Sequence, residues 1–269
     1  MTEPEILVVS DADAASALAA DRIAASLRSA AEARGRADWA TTGGSTPVGI
    51  YRHIVTTDHV NDIPWPDVHV WWGDDRFVPR DHALSNVKPF DDILLDLAGR
   101  QAGGAVGGDA TGIPLALTNV HPFQTSEAIG EGRGAAGCAA ELDRELRAAD
   151  LEVVDGWPVL DLVLLGVGGD GHVLSVFPGS AAFGSKDWAL AIPAPTHIEP
   201  HVERVTLNPA VLAVARQILV VMHGAGKTAN LADIFGPEVD PTRWPAQLAR
   251  REGATWILDE AAAASLPPH

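Results

Sequence analysis

The stretch Asp161–His172 reads DLVLLGVGGDGH, and its two halves ask for opposite conformations. Asp161–Val167 is an apolar run of strand length, far short of the ~20 residues a membrane span needs. Gly168-Gly169-Asp170-Gly171-His172 then ends it, delivering a carboxylate and an imidazole into a glycine-rich turn. A buried strand feeding a polar glycine loop is the repeating unit of an α/β sheet.

The same layout recurs on both sides. Glu5–Ser10 (EILVVS) leads into Asp11–Arg34, Ala-rich with Leu18, Ile23 and Leu27 near helical spacing, and Gly35 stands where a C′ glycine is expected. Ala37–Thr42 leads into Gly43-Gly44-Ser45-Thr46-Pro47, with the proline in the first turn of a helix reaching about Val55. Val68–Trp72 (VHVWW) ends in the polar loop Gly73–Asn86. Gln217–His223 (QILVVMH) runs into Gly224-Ala225-Gly226-Lys227 and a helix, and Thr255–Leu258 precedes an Ala-rich terminal helix. This alternation predicts the α/β class: a doubly wound, mostly parallel open sheet flanked by helices in a Rossmann-like three-layer arrangement, with ligands at the carboxyl ends of the strands. Gly99–Gly137, rich in Gly, Pro and Thr, reads as a loop insertion with short strand pieces. No internal repeat or long charge run divides the chain, so residues 1–269 are expected to form one domain.

Bulk properties narrow the function. The formal net charge is −17, which repels nucleic acid and acidic membranes, so neither is an expected partner. A lone cysteine, Cys138, excludes an internal disulfide framework and fits a reducing compartment. The acidic start Met1-Thr2-Glu3-Pro4-Glu5 lacks the basic region of a secretory signal, and a cytoplasmic location is expected. The histidines are scattered without metal-ligand spacing, so neither a metal nor a cofactor is expected. A phosphorylated ligand would need a local electropositive pocket set against the chain's own field.

Four segments carry the chemistry. In Thr41–Pro47 (TTGGSTP), Gly43 and Gly44 let the backbone approach an anion, Ser45 adds a hydroxyl, and a helix N-terminus follows. An ordinary glycine turn with Ser45 or Thr46 as N-cap is the plainer reading. In Gly73–Asn86 (GDDRFVPRDHALSN), Arg76 can grip phosphate with its planar fork, while Asp74 or Asp75 can hold Arg76 or bind hydroxyls. A solvated loop with self-paired charges competes with that reading. In Leu164–Gly179 (LLGVGGDGHVLSVFPG), His172 is the natural general base, because an imidazole titrates near neutrality. In Gly224–Lys227, a lysine beside a helix start is unfavourable unless an anion arrives. Arg204, in RVTLN, adds a further cation or lies on the surface.

Together these segments resemble the 6-phosphogluconolactonase family, similar in fold to the glucosamine-6-phosphate isomerases. The resemblance rests on TTGGSTP (41–47), WGDDRFVPRDHALSN (72–86), LLGVGGDGHVLSVFPG (164–179), RVTLNPAVLAVAR (204–216) and HGAGK (223–227), in the family's order. It implies hydrolysis of a phosphorylated sugar lactone, 6-phosphogluconolactone, with no covalent intermediate. Gly43, Gly44, Ser45, Arg76 and Lys227 would cradle the phosphate, with Asp75, Asn86 and Arg204 as further substrate contacts. His172 would be the catalytic base, with Asp170 close by to orient it or the water. Asp75 stands where the family usually has glutamate, Val173-Leu174-Ser175-Val176 replaces Thr-Ala-Ser-Leu, and His223 replaces a glycine. An isomerase/deaminase of amino-sugar phosphates is the nearest rival, but Val173–Gly179 lacks the carboxylate it would carry there. A non-catalytic sugar-phosphate sensor is the other.

Overall fold

The structure, a computed structural model, describes residues 3–96, 112–264 and 266. Its main sheet has seven strands in the order β1-β12-β11-β8-β2-β3-β5. These are β1 (Glu5–Val9), β2 (Ala37–Thr41), β3 (Val68–Trp72), β5 (Val120–His121), β8 (Leu162–Leu165), β11 (Gln217–Met222) and β12 (Ala254–Asp259). Every pairing among them is parallel. From β2 the chain steps outward through β3 to β5, and from β8 it steps the other way through β11 to β12. The direction reverses between β2 and β8, so the crevice at their carboxyl ends is the topological switch point. The expected doubly wound α/β sheet is what the chain forms.

Helices flank the sheet. Helix α1 (Ala12–Arg34) and helix α2 (Ser45–Thr56) pack on one another. The buried face of α1 is Ala15, Ala19, Ile23, Ala24, Leu27 and Ala31, and its small residues let the helix lie close to the sheet. Asp11 Oδ1 caps the start by accepting from Ala14 N at 2.9 Å. Gly35, at φ 71°, closes the end, its N–H reaching Ala31 O at 2.7 Å. Helix α3 (Gly134–Ala148) covers a second sheet of β4 (Asp74–Arg76), β10 (Arg204–Leu207) and β9 (Ala189–Ile192), all antiparallel. A hairpin of β6 (Val153–Val154) and β7 (Trp157–Pro158) completes the strands described.

Three expectations change. Gly73–Asn86 is not all loop, because its first residues form β4. Within Gly99–Gly137, residues 99–111 lie outside the described residues. The remainder is half helical, with turns at Leu117–Asn119 and Thr125–Gly130 and the start of α3; β5 is its one strand piece. The Ala-rich terminal helix is a single turn, Glu260–Ala263.

An aromatic cluster braces the base of the switch point. Trp39, Tyr51, Trp72 and Phe90 are fully buried, with Tyr51–Phe90 centroids at 5.6 Å and Trp72–Phe90 at 5.1 Å. Tyr51 on α2 shares a 2.6 Å hydrogen bond with Thr41 Oγ1 at the end of β2. Rings of this size bury roughly 150–250 Å² each, enough to fix the angle at which α2 leaves the sheet. No helix among the described residues is long and apolar enough to cross a membrane.

Candidate active site

At the switch point lies a cleft of about 310 Å³. The loop after β2 supplies Gly43, Gly44 and Ser45, β4 supplies Asp74 and Arg76, and the loop after β8 supplies Gly168, Gly169 and His172. Segments more than a hundred residues apart in sequence therefore meet in one opening. Gly44, at φ 84° and ψ −159°, occupies a conformation open to glycine alone. It begins α2 with no side-chain cap and no acidic residue in the first turn. The unpaired N–H groups and positive end of that helix are left to face the cleft.

His172 is aimed by Asp170. The imidazole Nδ1 lies 2.5 Å from Asp170 Oδ1, which also accepts from His172 N at 3.2 Å. Burial pushes the Asp170 carboxyl up, but the hydrogen bond and charge of His172, with the bond from His197, outweigh it and hold the group well below the ordinary carboxylate range. An ionised Asp170 can only accept, so Nδ1 carries the proton and Nε2 is left as the basic nitrogen. Gly168 makes room for this ring: a Cβ there would sit 2.0 Å from Nδ1. The loop spends two of its own amides, Gly168 N on His172 O at 2.9 Å and Gly171 N on Gly168 O at 3.0 Å.

Strand alternation sorts the Asp-Asp-Arg triplet. Asp74 and Arg76 line the cleft, while Asp75 points the other way and is fully buried. Asp75 Oδ1 accepts from Arg76 N at 2.7 Å and Asn86 N at 2.6 Å, and Oδ2 accepts from Ser85 Oγ at 3.1 Å. Burial pushes its carboxyl up to about 7 against those bonds. Asp75 is thus a staple between β4 and the end of the loop and makes no contact with the cleft, unlike the substrate contact expected of it. Asp74 Oδ2 accepts from Ser175 Oγ at 2.6 Å, tying the His172 loop to β4.

Asn86 lines the cleft. Its Nδ2 donates to Asp74 O at 2.9 Å, which orients the amide and leaves a buried Oδ1 with no partner among the described residues. A Cβ on Gly43 would lie 1.9 Å from that oxygen, so the glycine lets the carboxamide reach the cleft. Arg76 is steadied by Nη1 donating to Leu84 O at 2.8 Å. Arg204 is its cross-strand partner in the β4–β10 register. Arg204 is buried, donates from Nη2 to Pro200 O at 2.8 Å, and leaves Nε without a partner among the described residues. Burial and the neighbouring Arg76 charge lower its pKa from the usual arginine value. It therefore stands behind Arg76, outside the residues that line the cleft.

Lys227 falls on the turn Ala225–Asn230, and its side chain lies outside the described residues. Asn230 of the same turn donates from Nδ2 to Gly169 O, which seats the turn against the His172 loop. The sequence reading missed three residues. His197 lies with Nε2 2.8 Å from Asp170 Oδ2, and its neighbours Ile198 and Glu199 form a wall of the cleft. They sit in a proline-rich connection with no strand-to-loop signature, so no local pattern marks them.

Known proteins resemble this chain in sequence and fold. The family described as glucosamine-6-phosphate isomerases/6-phosphogluconolactonase matches residues 10–257. A Synechocystis protein named 6-phosphogluconolactonase is 31% identical over 237 residues, covering 87% of each chain. One of the same name from Mycobacterium tuberculosis is 30% identical over 263 residues, 97% of this chain and 98% of its own. The solved 6-phosphogluconolactonase of Trypanosoma brucei superposes with a TM-score of 0.81 at 26% identity, over 99% of this chain and 100% of that one. A monomeric glucosamine-6-phosphate deaminase superposes with a TM-score of 0.72 at 15% identity, over 97% and 99% of the two chains, a likeness of fold alone. With residues 10–257 matched, the chain belongs to the glucosamine-6-phosphate isomerase/6-phosphogluconolactonase family.

Proposed function

We propose that the protein hydrolyses 6-phosphogluconolactone to 6-phosphogluconate, with His172 as general base and no covalent intermediate. One observation carries this reading: an imidazole with a free Nε2 shares a cleft with Arg76 and an uncapped helix start. The anion of the substrate belongs at the Gly43-Gly44-Ser45 turn, where α2 N–H groups and Arg76 supply positive charge and Arg204 adds to the field from behind; Lys227, on the turn that Asn230 seats against the His172 loop, is a further candidate cation. Asn86 Oδ1, lacking a partner, is an acceptor for a sugar hydroxyl.

The lactone carbonyl then faces His172. Nε2 takes a proton from water, whose oxygen attacks the carbonyl carbon. Charge builds on the carbonyl oxygen and is met by glycine-loop N–H groups other than those of Gly168 and Gly171. The tetrahedral centre collapses by breaking its bond to the ring oxygen, which leaves with the proton from the imidazolium. Asp170 stays ionised throughout and steadies the cation, as the buried carboxylate does in a catalytic triad.

The test is hydrolysis of freshly prepared 6-phosphogluconolactone, corrected for its spontaneous opening. His172→Ala is expected to lower kcat about 100- to 10,000-fold, while Arg76→Ala raises KM. A His172 variant with near-normal turnover would sink the assignment. Ammonia release from glucosamine 6-phosphate would instead favour an isomerase/deaminase.

A further inference from the structure

We propose that His197 is a positioning residue for this reaction: it holds the outer oxygen of the Asp170 carboxylate and thereby fixes the tautomer and aim of the His172 imidazole. The inference rests on the reading of His172 as the base.

Asp170 sits between Gly169 and Gly171, the latter at φ 83°, where the backbone offers its side chain little steric support. A carboxylate held on one oxygen alone can swing about its side-chain torsion. Oδ1 takes both bonds from His172, and Oδ2 takes its bond from His197 at 2.8 Å. The two bonded oxygens together fix the plane of the carboxylate. Phe177 lies against both imidazoles, with centroids 4.7 Å from His172 and 5.6 Å from His197, so the three rings and the carboxylate form one packed unit.

His197 acts on Asp170 and is not itself among the residues lining the cleft. The connection that carries it has its own anchors. His201 Nδ1 bonds Pro195 O at 2.7 Å, Val202 N donates to Pro200 O at 2.9 Å, and Arg204 Nη2 donates to Pro200 O at 2.8 Å. Removing the His197 imidazole therefore leaves the Ile198–Glu199 wall supported. Among the described residues the other charged groups at the cleft are Asp74 and Arg76 on β4 and Glu199 on the β9–β10 connection, and substitution at His197 alters none of them.

The experiment compares wild type, H197A and H197Q. The Gln amide nitrogen replaces the imidazole Nε2 as donor to Asp170. Two measurements are made: the pH profile of 6-phosphogluconolactone hydrolysis, and an NMR titration of the His172 ring in substrate-free protein. H197A should lower kcat about 10-fold, since a hydrogen bond to a charged group is lost, with KM changed less than about 2-fold. Its pH profile should shift from that of wild type, because the carboxylate that orients the His172 ring is no longer held on Oδ2. The His172 midpoint should shift in parallel, and H197Q should restore most of both properties. Unchanged turnover and midpoint in H197A, or equal loss in the Ala and Gln variants, would overturn the proposal. If wild type fails to open the lactone, the functional reading fails by itself, and the NMR titration still decides whether His197 positions His172.

Discussion

At Gly168 the side chain that is missing governs the one beside it. A methyl group there would lie 2.0 Å from His172 Nδ1 and 2.1 Å from Cε1, so the ring would have to leave and the Asp170 bond would break. Gly168→Ala should lower kcat by about 100-fold, at the lower end of what a general base contributes, while the thermal unfolding profile stays near wild type. Wild-type turnover in that variant would mean that His172 works from another position. Much of the site was legible at this scale, because Asp170, His172 and the Gly43-Gly44 turn announce themselves by residue type within a few positions. Asp75 was not. Reading 73–86 as loop hid the period-2 alternation that sends Asp74 and Arg76 to the cleft and Asp75 into the interior. His197 left no trace either, since its bond to Asp170 joins residues 27 apart through tertiary contact alone.

Among the elements, legibility followed hydrophobic run length. Inner strands of the parallel sheet such as β8 and β11 are buried almost throughout and stand out as the continuous apolar stretches LVLL and ILVVM. β4 is three residues, Asp-Asp-Arg, and becomes a strand only because β10 pairs with it. The helix α1 was legible to its last residue, since Gly35 adopts the left-handed conformation that a C′ glycine provides. A Cβ at Gly35 meets nothing within 4 Å, so Gly35→Ala isolates the cost of that backbone angle. The variant should be destabilised by about 1 kcal/mol. Chemical denaturation would show it as a lower midpoint with an unchanged slope. Activity per folded molecule should be unchanged, because Gly35 lies at the amino ends of the strands, away from the cleft. A midpoint equal to wild type would mean that the helix end refolds around the alanine.

Across the whole molecule, a net charge of −17 sets a field that opposes any anionic substrate. The switch point answers it with the features that lack counter-charge elsewhere: an uncapped helix start and two arginines side by side across β4 and β10. Holding those arginines requires the Gly73–Asn86 segment to close on itself, which Asp75 does from the interior at the cost of a buried carboxyl. That cost has a definite dependence on pH. Burial raises the folded-state pKa of Asp75 to about 7, so the folded protein binds this proton more tightly than the unfolded chain, where aspartate titrates near 3.8. The stabilisation is complete below pH ~4 and is lost as pH rises through about 7. Asp75→Asn removes the titration and keeps an oxygen to accept from Arg76 N and Asn86 N. The stability of the variant relative to wild type should therefore be level below pH ~4, climb between ~4 and ~7, and flatten above, with a total rise of no more than about 4 kcal/mol. Urea unfolding across that range measures the difference directly. A level difference throughout would mean that Asp75 titrates alike in the folded protein and the unfolded chain, its three hydrogen bonds offsetting its burial.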